Sequence, residues 1–160
     1  YTWTPFVYTG VSLFHFNPQA ENPANGEWVD LQPLGTEGQG TAEYNLKEYS
    51  LTQVAIPMGG GIKIAVNPSF SIILEYGIRK TFTDYLDDVS TTFVGGNGDP
   101  YPVEMSQDAI NMSDPRAVLD PLLAHSKGYH RGDPNKNDWY SFAGITLSFK
   151  LNNNTKDCDY

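Results

Sequence analysis

Residues 52–66 read Thr-Gln-Val-Ala-Ile-Pro-Met-Gly-Gly-Gly-Ile-Lys-Ile-Ala-Val. Side chains one residue apart point to opposite faces of a strand. One face of this stretch therefore carries Val54, Ile56, Met58, Gly60, Ile62, Ile64 and Val66. The other carries Gln53, Ala55, Pro57, Gly59, Gly61, Lys63 and Ala65. The next stretch repeats the pattern, with Phe70, Ile72, Leu74, Tyr76, Ile78 and Phe82 opposed by Ser71, Glu75, Gly77, Arg79, Thr81 and Thr83. Period-two alternation of this kind specifies strands and excludes amphipathic helices.

Two further stretches follow the same rule. Trp139 to Leu151 places Ala143, Ile145, Leu147 and Phe149 on one face and Tyr140, Phe142, Gly144, Thr146 and Ser148 on the other. Trp3 to Phe16 is apolar on both faces in places; Val7, Val11 and Leu13 are assigned outward, and Tyr8, Gly10 and Ser12 inward. Each stretch exceeds the about 9–11 residues that a tilted strand needs to cross a bilayer. The polar face is rich in glycine and small residues, which suits a narrow lumen. Gln53, Lys63, Glu75 and Arg79 are its expected lumen-facing polar groups, the last three within reach of mutual pairing. Trp3, Tyr76, Phe82, Trp139 and Phe149 are placed where aromatic girdles form. The expected fold is all-β, an antiparallel transmembrane β-barrel.

The connections predict an orientation. Asn67-Pro68-Ser69 is a tight turn, whereas residues 17–49 and 84–138 are long and rich in Gly, Pro, Asn and Asp. Outer-membrane barrels have short periplasmic turns and long extracellular loops, so both long segments are expected outside and residues 152–160 form a periplasmic tail. Four strands do not close a barrel, whose smallest bacterial single-chain form has about eight. The chain opens at Tyr1 directly before a strand, without a leader. It is therefore expected to supply the C-terminal four strands (residues 1–151) of a longer protein with a cleaved signal.

Composition narrows the partners. A net charge of −9 argues against nucleic acid. A mean hydropathy of −0.41 excludes long apolar helices. Glu21, Glu27, Asp30, Glu37, Glu43, Asp84, Asp87, Asp88 and Asp99 fall in loops and read as solvated charge. The single cysteine, Cys158, excludes an internal disulfide framework and offers a possible partner contact in the tail.

Candidate chemistry is sparse. Asp84, Asp87 and Asp88 are weak calcium candidates, because they lack the alternating order of a calcium loop; hydrogen bonds to loop backbone and pairing with Arg79 or Lys80 are the plainer expectation. A hydrolase would need a nucleophile, a base and an orienting group together. His15, with Ser12, Thr81 and Asp84 as neighbours, and the loop histidines His125 and His130 provide no such motif. Gly35-Thr36-Glu37-Gly38-Gln39-Gly40 reads as an external glycine-rich loop, since no strand–helix phosphate unit surrounds it. Residues 108–125 predict short helical turns, with Asp114 capping at Pro115. No cofactor is expected.

Three strings, Gly10-Val11-Ser12-Leu13-Phe14-His15-Phe16-Asn17-Pro18, Leu31-Gln32-Pro33-Leu34-Gly35-Thr36-Glu37-Gly38-Gln39-Gly40 and Arg79-Lys80-Thr81-Phe82-Thr83-Asp84-Tyr85-Leu86-Asp87-Asp88-Val89-Ser90, resemble the PorG-type outer-membrane β-barrel family of Bacteroidetes. Val54-Ala55-Ile56-Pro57-Met58-Gly59-Gly60-Gly61 fits between them as that family's next strand. The resemblance covers nearly the whole chain. It implies further strands upstream and a non-enzymatic part in type IX protein secretion and gliding, scaffolding or anchoring a periplasmic ring. The implied partners are outer-membrane lipids and secretion-system ring or lipoprotein subunits. A small-solute channel or transporter and a barrel-embedded hydrolase are the alternative expectations.

Overall fold

The structure, a computed structural model, describes residues 2–151. It is mostly antiparallel sheet with a few short helices. Strands β1 (Thr2–Thr9), β2 (Ser12–His15), β5 (Thr52–Asn67), β6 (Phe70–Thr81) and β7 (Trp139–Phe149) form one five-stranded sheet. Its order is β1-β5-β6-β7, with β2 also paired to β5. A small hairpin joins β3 (Gln19–Glu21) to β4 (Trp28–Asp30). Two short helices, α1 (Gln107–Ser113) and α2 (Pro115–Leu119), lie in the last long connection. The four alternating stretches are thus adjacent strands of a meander, and no closed barrel is seen among the described residues.

The first stretch is split for a chemical reason. Thr9 pairs with Met58, which brings Gly10 opposite Pro57. Gly10 donates its N–H to the Pro57 carbonyl at 3.2 Å, but proline has no N–H to return. The ladder is interrupted there and resumes at Ser12.

Register explains the glycines of the inner face. Tyr8 lies opposite Gly59, Phe6 opposite Gly61, Phe142 opposite Gly77 and Glu75 opposite Gly144. Each of these glycines leaves room for the larger side chain across from it. A Cβ on Gly59 would come within 2.6 Å of the Tyr8 ring, and one on Gly77 within 2.8 Å of the Phe142 ring. Both β5 glycines also face a backbone carbonyl, and Gly61 is the tighter, with its Cβ 2.2 Å from the Leu74 oxygen against 2.6 Å from Gly59 to that of Tyr76. Glycine here permits close approach of rings to backbone.

The opposite face is apolar and open. Val7 is 89% exposed, Leu13 76% and Ile145 73%; Trp3, Ile62, Leu74, Tyr76, Leu147 and Phe149 are also exposed. A soluble sheet buries such a face.

The chain divides into two compact units. Within the described residues, one holds 2–12, Ala55–Lys80 and 139–151; the other holds Leu13–Val54 and Thr81–Asp138. The long connections therefore fold with each other into a body with its own interior, built around Leu31, Phe93, Val94, Ala109 and Met112. No helix among the described residues is long and apolar enough to cross a membrane.

Alanine substitutions should rank the inner glycines by what their Cβ meets. Gly61→Ala, against a backbone carbonyl, should lower stability most, by about 1–3 kcal/mol. Gly144→Ala should cost least, because it meets only the Glu75 side chain, nearest at 3.2 Å. Urea midpoints of detergent-refolded protein give the order; equal midpoints would remove the register argument.

Candidate functional site

The expected lumen groups take separate positions. Arg79 donates from Nη1 to the Tyr140 hydroxyl at 2.9 Å, and its guanidinium lies 5.4 Å from the Tyr140 ring centroid and 4.8 Å from that of Phe142. Glu75 faces Gly144, and Lys63 is exposed opposite Thr4. Gln53 donates to the Ser50 carbonyl at 2.9 Å. Among the described residues no ion pair joins Lys63, Glu75 and Arg79. Stacked rings and one cation–π cluster organise the inner face instead. Tyr8 Oη and Arg79 Nε are buried there with no hydrogen-bond partner among the described residues.

The strongest electrostatic arrangement lies in the body formed by the long connections. Glu37 and Asp88, expected to be solvated, are both 0% exposed. The glycine-rich loop around Glu37 is buried from Gly35 to Gln39, not external. Gly35 and Gly38 adopt φ of 63° and 81°, a left-handed conformation that glycine accepts freely and that folds the chain tightly around Glu37. The Glu37 carboxylate accepts from Ser90 N–H at 2.8 Å, Thr91 N–H at 3.0 Å, Thr91 Oγ1 at 2.7 Å and Arg131 Nη1 at 3.1 Å. Asp88 accepts from the Thr36 hydroxyl and, at 2.7 Å, from the Tyr49 hydroxyl.

Arg131 ties these groups together. Its Nη1 also donates to Thr36 Oγ1 at 3.2 Å and to the Asp88 carbonyl, and lies 3.8 Å from Asp88 Oδ2. Its Nη2 donates to the Met112 carbonyl at 3.3 Å. One guanidinium thus serves two buried carboxylates and backbone from several segments. Burial raises the Asp88 carboxyl above its usual value, against the lowering pull of Thr36, Tyr49 and Arg131; Glu37 adds a smaller push upward. Burial, followed by the bond to Asp88, holds the Tyr49 phenol firmly protonated. The Tyr49 ring stacks on Tyr85 with centroids 4.5 Å apart.

The other acidic candidates act locally. Asp87 accepts from Val89 N–H at 3.2 Å, an Asx turn. The Asp84 carboxyl is raised chiefly by burial, and its Oδ2 is buried without a hydrogen-bond partner among the described residues. Among those residues, no group of three or more His, Cys, Asp or Glu side chains is placed to hold a metal ion. Cys158 and the tail from 152 lie outside the described residues.

The histidines divide similarly. His15 Nδ1 meets Thr52 Oγ1 at 3.2 Å. Ser12 donates to the Ala55 carbonyl, and Thr81 to the carbonyls of Thr83 and Asp138. These hydroxyls are committed to backbone. The sequence pattern did not reveal the pair Asp114–His125. Asp114 stands at the start of α2 with Pro115 behind it, as its position predicts, but its side chain makes no capping bond. Asp114 Oδ2 instead accepts from His125 N–H at 2.8 Å and meets His125 Nδ1 at 3.0 Å. The imidazole stacks on Phe93, with centroids 4.2 Å apart.

A cavity of about 460 Å³ lies beside this pair, lined by Tyr101, Ile110, Val118 and Ala124 among others. Residues 107–119 form the two short helices that the sequence predicts, and these give the cavity one side.

No family model matches this sequence, and comparison with characterised proteins and with solved structures yields no match.

Removing Arg131 leaves two buried carboxylates without their cation. Arg131→Ala should destabilise the body by about 3–5 kcal/mol, read as loss of trypsin protection across residues 84–138. Unchanged protection would show that the network is incidental.

Asp88 also has a pH signature. Its folded value is raised, so folding binds protons, and the stability tied to its neutral form is full below the ordinary carboxylate value of about 3.9. That stability is lost as pH rises through the raised folded value. Wild type should therefore gain stability over Asp88→Asn as pH falls from neutral toward 4, measured by urea unfolding. A constant difference would contradict the burial assignment.

Proposed function

We propose that this chain forms part of the wall of a bacterial outer-membrane β-barrel and acts there without catalysis. Its role is to scaffold or anchor a type IX secretion complex through ring or lipoprotein subunits. The carrying observation is the exposed apolar face of the meander. On β1, β2 and β7 the outward residues are open and, apart from Thr9, His15 and Ser141, apolar, from Trp3 and Val7 through Leu13 to Ile145, Leu147 and Phe149. A contiguous apolar sheet face of this length requires an apolar medium. Lipid supplies one, provided that further strands close the ladder so that no backbone edge is left open in the bilayer core.

The inner face supports the same reading. Phe6, Tyr8 and Phe142 over a glycine floor fill space as side chains fill a small barrel. The unpartnered Tyr8 Oη and Arg79 Nε call for polar groups from further wall strands. A filled interior moves the working surfaces to loops and partners, which favours scaffold over channel. The assignment to secretion rests on the resemblance carried by residues 10–18, 31–40 and 79–90.

Arginine on the lipid face is the direct test. Ile62→Arg and Leu74→Arg should each cost about 2–4 kcal/mol in liposome folding assays if they sit near mid-membrane. Thr146→Arg, on the inner face, should be tolerated better. If Ile62→Arg and Leu74→Arg fold into liposomes like wild type, that face does not meet lipid and the membrane reading fails.

A further inference from the structure

The body built from residues 13–54 and 81–138 is strongly acidic. Those residues hold sixteen Asp or Glu (Glu21, Glu27, Asp30, Glu37, Glu43, Glu48, Asp84, Asp87, Asp88, Asp99, Glu104, Asp108, Asp114, Asp120, Asp133 and Asp138) against five Lys or Arg (Lys47, Arg116, Lys127, Arg131 and Lys136). Its formal charge is therefore 5 − 16 = −11, more negative than the −9 of the whole chain. Arg131 is spent internally on Glu37 and Asp88, and Lys127 and Lys136 pair with Glu43 and Asp133. Little positive charge is left for the surface.

The cavity lies within this body. Its volume of about 460 Å³ falls in the range of ligand pockets, about 300–1,000 Å³. The lining is largely apolar, with Ile110, Ala117, Val118, Pro121 and Ala124. Its one charged lining residue is Asp114, whose carboxylate already meets His125; Asp99 and Asp120 flank the lining residues, as do Arg116 and His125. The same turn of chain exposes Leu119, Leu122 (93%) and Leu123. A small molecule filling the cavity would leave these leucines in water. A polypeptide would cover both, and exposed apolar patches beside polar rims mark protein contacts.

We propose that this cavity, with Leu119, Leu122 and Leu123, docks a basic polypeptide segment that inserts a bulky apolar anchor. The anchor fills the apolar pocket as a buried hot-spot residue does. Flanking lysines or arginines meet the acidic surroundings, which set approach rate and partner choice. The proposal concerns this body alone and stands independently of the lipid assignment of the sheet.

The test uses the full-length protein in detergent micelles and fluorescein-labelled octapeptides read by fluorescence polarisation. One peptide carries a central Phe-Leu pair flanked by lysines; a second replaces Phe-Leu by Ser-Ser, and a third replaces the lysines by glutamates. The first should bind saturably, and more weakly as salt rises, because exposed charges are screened within about 10 Å at 0.1 M. The second should bind roughly ten- to hundredfold more weakly, the loss expected for an unburied anchor. The third should not bind. Val118→Trp, which fills the cavity, should weaken the first peptide at least about tenfold. Leu122→Ser alters only an exposed side chain, so folding is retained, and it should weaken binding several-fold. Equal binding of the Ser-Ser and Phe-Leu peptides, absence of saturable binding, or wild-type binding by both variants would overturn the proposal. Liposome insertion of the same preparation is scored separately.

Discussion

Across neighbouring strands, a ring can lie against the sheet only where the residue opposite has no side chain. That constraint organises the inner face. Four glycines, on three strands, stand across from Tyr8, Phe6, Phe142 and Glu75. If β5 slipped by one residue, one of the two β1 rings would meet Met58 or Ile62 instead of a glycine, and every outward aliphatic of β5 would turn inward. The glycines thus fix register, and register fixes which face is apolar. The functional reading follows from that face.

The body of long connections solves a different problem. It lacks an extended sheet and buries few large apolar side chains, so a polar network closes it. Arg131 gathers Glu37, Asp88 and backbone carbonyls from segments far apart in sequence. Such a network is demanding, since each buried carboxylate must be satisfied or it destabilises the fold. Glu37 meets the demand with four donors. Asp88 meets it with two hydroxyls, and its raised carboxyl reflects what burial still costs.

The strands were legible because alternation is local. Residues 52–66, 70–83 and 139–151 match β5, β6 and β7 to within a few residues at each end. The break at Gly10 was not legible, since it depends on Pro57 lying across the ladder. The expected ion pairing of Lys63, Glu75 and Arg79 followed from charge alone and ignored the aromatic rings that hold Arg79. Acidic loop residues read as solvated because a carboxylate carries no mark of its burial. One signal was present: glycines at 35 and 38 bracket Glu37 and permit the tight fold that buries it. The Asp114–His125 pair was hidden because the capping position fits the sequence, while the side chain turns elsewhere.

Charge placement along the meander bears on what completes it. Soluble sheets protect their edges with lysine, inward charges or short edge strands, because an open ladder invites pairing. Here β1, Thr2–Thr9, and β7, Trp139–Phe149, have no charged residue, and β7 extends over 11 residues. The charges Lys63, Glu75, Arg79 and Lys80 lie on β5 and β6, the strands already paired on both sides. On β7 that is the reverse of edge protection, while β1 carries Pro5, which removes one donor from its ladder. The uncharged, regular edge of β7 suits a ladder that continues, and in hydrocarbon no open edge is tolerated. Under the proposed reading, β1 and β7 are therefore the seams where further wall strands join. On that reading, the charges sit on the inner strands β5 and β6 and leave β7 free to pair.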